Sequence, residues 1–96
     1  RFANAAAFLG GSAEEAARAA SGPVDSLAFG FIKNGGMGAE AVVLFDPEAA
    51  MQVRNRRKRA GHLQCKGRYL AAQTLAMLED ELWLANAAHA NAAAQE

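Results

Sequence analysis

Alanine fills 25 of the 96 positions, whereas Leu, Ile, Val and Phe together fill only 19. That ratio limits the fold more than any motif does, because alanine buries little surface and holds a core together weakly. A domain of this size hides only about 60–70% of its unfolded surface, against an ordering cost of roughly 1.5 kcal/mol per residue. The chain is therefore expected to depend on a larger folded unit. Its start, Arg1-Phe2-Ala3-Asn4, carries no initiator Met, leader or cleavage signature, which reads as a segment cut from a longer protein. Ten basic residues balance ten acidic ones, an argument against nucleic acid as an obligate partner. No run of eighteen apolar residues is present, so no membrane partner is expected. The single cysteine, Cys65, cannot form an internal disulfide and fits a reducing cytoplasm.

Phe2 to Ala20 has helical propensity interrupted by Gly10-Gly11, and Ser12 with Glu15 forms an S-x-x-E capping box, so two short helices are predicted. Ser21-Gly22-Pro23 ends the second. Leu27, Phe29 and Phe31 alternate through Val24 to Phe31, favouring a strand; a glycine-rich turn follows from Lys33 to Gly38. Ala41-Val42-Val43-Leu44-Phe45 is a continuous apolar run of the kind buried on both faces of a covered sheet. Asp46 and Pro47 then supply a helix cap and a first-turn proline, predicting a helix through to about Gly61. Beyond an irregular stretch from His62 to Gly67, Leu70, Leu75, Leu78, Leu82 and Ala85 recur at helical spacing, which predicts one long helix or two in succession.

Lys33 is the residue whose placement most suggests chemistry. It directly follows a strand with two large aromatics and directly precedes Asn34 and a cluster of glycines. An ammonium at the end of a buried strand loses hydration and gives up its proton more readily, leaving a nucleophilic amine. On the local pattern alone an exposed hairpin lysine remains the competing reading.

The stretch Val24-Asp25-Ser26-Leu27-Ala28-Phe29-Gly30-Phe31-Ile32-Lys33-Asn34-Gly35, followed by Ala39-Glu40-Ala41-Val42-Val43, resembles the cofactor-lysine region of the low-specificity threonine aldolases. The resemblance continues in order through Arg57-Lys58-Arg59, Gly61-His62-Leu63, Lys66-Gly67-Arg68, Leu70-Ala71-Ala72-Gln73, Leu82-Trp83-Leu84 and His89-Ala90-Asn91. It implies an α/β fold, with residues 1–96 forming the C-terminal part of the large, cofactor-binding domain of a fold-type-I pyridoxal-phosphate enzyme. That domain has a mostly parallel sheet covered by helices, and here it would end in a helix leading toward a small domain outside the chain. It implies cleavage of β-hydroxy-α-amino acids, such as threonine or phenylserine-like substrates, to glycine and an aldehyde. Another lyase or an aminotransferase using the same lysine is the alternative.

By the same resemblance Lys33 is the Schiff-base lysine holding pyridoxal 5'-phosphate. Arg1 matches the family arginine that binds the substrate carboxylate, a task suited to a planar guanidinium. Lys58, with Lys66 or Arg68, matches basic groups that reach a neighbouring subunit's cofactor phosphate, implying a homodimer or homotetramer with sites at the interface. Ile32 departs from the family, which has Ser or Thr before the lysine. The aspartate pairing with the pyridine nitrogen lies outside the chain, and the 96 residues alone are expected to be inactive.

Read without the resemblance, Arg54 to Arg59 is a solvated helix face, and a helical module docking acidic partners or nucleic acid is the rival from another class. His62 and His89 have no Cys, Asp or Glu at ligand spacing, so no metal site is expected, and Cys65 reads as an inert small residue.

Overall fold

In the computed structural model, which describes residues 1–96, the alanines serve helix approach rather than bulk. Helix α1 (Phe2–Leu9) packs against both α2 (Ala13–Ser21) and the last helix, α5 (Leu82–Ala93). Ala3, Ala6, Ala16 and Ala87 are buried within the core, where a side chain no larger than a methyl lets helix backbones lie close. Ser12 caps α2 as expected: its hydroxyl accepts from the Glu15 amide, and the Glu15 carboxylate accepts from the Ser12 amide at 2.9 Å.

Strands β1 (Ser26–Gly30) and β2 (Glu40–Leu44) pair antiparallel, with Ala28 opposite Val42 and Gly30 opposite Glu40. This one pair is antiparallel, whereas the sheet of the larger domain is expected to be mostly parallel. Nor is β2 buried on both faces: Val42 is 66% exposed and the neighbouring Phe45 52% exposed, because no third strand or helix of the chain covers those side chains. The alternation in β1 holds better, with Leu27 and Phe29 half-buried and Phe31, just past the strand, fully buried.

The large side chains gather in one place. Phe29 lies edge-on to Phe2 (4.9 Å) and to Trp83 (5.3 Å), and Trp83 stacks on Phe2 at 5.7 Å. This cluster ties α1, β1 and α5 together, each aromatic pair adding about 0.5–1.5 kcal/mol beyond burial. Trp83 reaches it because the chain breaks between α4 (Arg68–Leu78) and α5. Asp80 and Glu81 take left-handed φ values of 52° and 57°, so the long apolar stretch becomes two helices. The break also overturns the leucine stripe read from the sequence. Leu75, Leu78 and Leu82 are exposed, and Met77, Trp83 and Ala87 are the buried residues of these helices. Between β2 and α4, helix α3 (Pro47–Arg59) begins at the Asp46 cap, as predicted, and buries no residue.

Candidate functional site

The turn after β1 is built by a short 3-10 segment, Ile32–Asn34, closed by amides of Asn34 and Gly36 donating to the Phe31 carbonyl at 3.0 and 2.7 Å. Gly35 follows at φ 110°, in the left-handed region, and an added Cβ there would meet the Asn86 Nδ2 and Met77 Cε at 3.3 Å. Gly36 lies tighter still: a Cβ would stand 2.9 Å from that of buried Phe31. Gly35 and Gly36 are therefore required by close packing of the turn against the core, whereas Gly38 faces open space.

Side chains from the C-terminal helices hold the turn. Asn34 Nδ2 donates to the Trp83 carbonyl and Asn86 Nδ2 donates to the Asn34 carbonyl, both at 2.8 Å. Gln73 Oε1 accepts from the amides of Met37 (2.9 Å) and Gly38 (3.2 Å). Asn34 Oδ1 is buried without a partner, an uncompensated polar atom beside a turn that is otherwise well satisfied.

A cleft of about 220 Å³ opens between this turn, the adjoining strands and the start of α1. Arg1 and Asn4 line it from one side, and Gly30, Ile32, Lys33 and Glu40 from the other. Lys33 is exposed, so the dry strand end expected for it is not formed by these residues: β1 is only half-buried and the turn faces outward. What the chain does form is a shared cavity holding one primary amine, one guanidinium and one carboxylate. Ile32, half-exposed on the same wall, contributes apolar surface and no hydroxyl.

Lys58, Lys66 and Arg68 do not line this cleft. Lys58 is exposed near the end of α3, and Lys66 sits at φ 58° in the loop before α4. The Arg68 guanidinium lies 4.8 Å from the centre of the Tyr69 ring. A second, wider groove of about 990 Å³ runs between β2, α3 and α4, with Arg54, Arg56, Arg57 and His62 at its rim. No cluster of metal-ligating side chains is present, and no helix is long and apolar enough to cross a membrane.

An amine and a guanidinium lining one cleft beside a glycine-rich turn can engage a carbonyl carbon and an anionic group. The sequence pattern of the beta-eliminating lyase family matches residues 1–96, and the chain belongs to that family. Two low-specificity L-threonine aldolases, one from a Pseudomonas species and one from Pseudomonas aeruginosa, are each 44% identical to it over 95 residues. The match covers 99% of this chain and 27% of each relative, so the chain spans about a quarter of their length.

Asn86 and Gln73, which hold the turn from behind the cleft, are given no role by the sequence. An Asn or Gln on an Ala-rich helix looks like ordinary polar surface, and only the folded path shows what each one holds.

Proposed function

We propose that the protein is a pyridoxal-5'-phosphate-dependent lyase that cleaves β-hydroxy-α-amino acids, threonine and phenylserine-like compounds, to glycine and an aldehyde. The observation that carries this reading is the meeting of Lys33 and Arg1 at one cleft; the likeness to two low-specificity L-threonine aldolases supports it. The residues present fit the cofactor: a primary amine suits its aldehyde, and a cation in the same cavity suits an anionic group of cofactor or substrate. When bound, pyridoxal phosphate supplies an electron sink for the pair released as the Cα–Cβ bond breaks.

Lys33 Nζ would hold the cofactor at its aldehyde carbon, placing the side chain where it could move a proton beside the reacting centre. Arg1 holds the substrate carboxylate through a two-pronged hydrogen-bonded pair, fixing which substituent of Cα points into the cleft. In the overall reaction the β-hydroxyl loses its proton, its oxygen becomes the aldehyde carbonyl, the Cα–Cβ bond breaks, and Cα takes up a proton to give glycine. Lys58 and either Lys66 or Arg68, which stand away from the cleft of their own chain, serve a neighbouring subunit's cofactor phosphate in a homodimer or homotetramer.

The test is chemical trapping in the full-length protein. After incubation with pyridoxal phosphate and borohydride reduction, peptide mass spectrometry should find the pyridoxyl group on Lys33, and Lys33→Ala should abolish it. Attachment that survives this substitution unchanged removes Lys33 from the role. Aldehyde release from threonine without an added keto acid then separates a lyase from an aminotransferase.

A further inference from the structure

Helix α5 touches both sides of the cleft through two asparagines one turn or so apart. Asn86 donates to the backbone carbonyl of Asn34, next to Lys33, and the Asn34 side chain returns a bond to the Trp83 carbonyl at the start of the same helix. Five positions on, Asn91 Nδ2 donates to the Asn4 carbonyl at 3.0 Å and Asn91 Oδ1 accepts from Asn4 Nδ2 at 2.9 Å, in the first turn after Arg1. Both reciprocal pairs are half-buried. In the first turn of the same helix Trp83 stacks on Phe2 and meets Phe29 edge-on, so the apolar contact and the polar pins brace the same two walls.

We infer that α5 is a brace that sets the spacing of the amine wall and the guanidinium wall, with Asn86 a positioning residue for Lys33 and Asn91 a positioning residue for Arg1. The inference rests on the function proposed above. The physical basis is the direction of the bonds. Asn86 grips the backbone of Asn34 and Asn91 grips the backbone and side chain of Asn4, so each fixes the segment from which Lys33 or Arg1 projects while leaving the long functional side chain free to move during reaction. A carbonyl deprived of its half-buried donor costs free energy until the segment shifts to find water, and a shift of the Lys33 turn moves the amine relative to a bound aldehyde.

The experiment uses the full-length protein and two probes. Pyridoxal phosphate reports attachment to the amine, whereas pyridoxine 5'-phosphate has no aldehyde and reports the cavity alone. Asn86→Ala should weaken attachment of the aldehyde by about tenfold, the scale of one unpaired half-buried hydrogen-bonding group, and leave pyridoxine phosphate affinity unchanged. Asn91→Ala should do the reverse at the other wall: aldehyde attachment is kept, and glycine affinity of the loaded enzyme, read by spectral titration, falls by a similar factor. Asn91→Gln and Asn86→Gln keep the donor group and should recover part of the loss. A parallel loss of both phosphate probes in Asn86→Ala, or unchanged binding of both, overturns the brace. If instead Lys33→Ala retains the trapped adduct, the proposed function fails and takes the inference with it, a result that the asparagine variants cannot mimic.

Discussion

The two halves of the molecule are ordered by different means. Around the cleft, α1, β1 and α5 are joined by Trp83, Phe2 and Phe29 and by side-chain pairs linking residues 52 and 87 positions apart. From Met51 to Tyr69, by contrast, every residue is exposed. Helix α3 in that stretch owes its form to local signals: Asp46 accepts from the Glu48 amide at 2.9 Å, Pro47 opens the first turn, and the amides of Gly61 and His62 close the last by donating to the carbonyls of Lys58 and Arg57. Local chemistry is enough to make a helix, and it takes packing to fix where the helix stands. Only the half with packing brings candidate catalytic groups together.

The sharpest way to break this contrast is to remove its anchor. Trp83→Ala should destabilise the full-length protein by about 3–5 kcal/mol, the range for emptying a buried aromatic site, with loss of near-ultraviolet circular dichroism and a lower denaturation midpoint. A cost below about 1 kcal/mol would mean that the cleft half is held by something other than the aromatic cluster.

What the sequence reveals follows the same division. The capping box at Ser12, the Asp46-Pro47 helix start, the strand from Ser26 and the turn at Lys33 depend on neighbours within a few positions, and all were legible. The burial of β2 was misread because a run such as Val42-Val43-Leu44 states what could be covered, not what covers it, and the chain itself supplies no cover for Val42. The leucine stripe failed for a related reason. Periodicity assumes an unbroken helix, whereas Asp80 and Glu81 turn the axis and hand the buried face to Met77, Trp83 and Ala87. At the site, Lys33 and Arg1 were legible through resemblance, but the roles of Asn86, Asn91 and Gln73 were not, since their partners lie 35 to 87 positions away and leave no local trace.

Helix α2 sits between the two regimes, locally capped yet burying Ala16. The backbone hydrogen bond from Ser12, then the one from its hydroxyl, hold the Glu15 carboxyl below its ordinary value of 4.5. A carboxyl lowered on folding contributes stability that is present above its unfolded value and lost as pH falls through its folded value. Glu15→Gln should therefore be less stable than the parent at neutral pH, with the gap closing as pH drops below about 4.5, followed by denaturant midpoints across that range. A gap independent of pH would assign the cap to the Ser12 hydroxyl alone.

The smallest effect belongs to the exposed arm. Arg54 lies one turn before Lys58 on α3, where like charges at i, i+4 repel by about 0.2–0.5 kcal/mol. Four basic residues, Lys58 among them, occupy the last turn, where cations favour the helix dipole. Removing Arg54 relieves the first and leaves the second in place, so Arg54→Ala should change stability by less than about 0.5 kcal/mol, and added salt should narrow the difference because it screens the repulsion. A loss several times larger would show the arginine packed against something in the full-length protein. The arm would then be held by tertiary contact after all, and the contrast between the two halves would be a property of these 96 residues and not of the full-length protein.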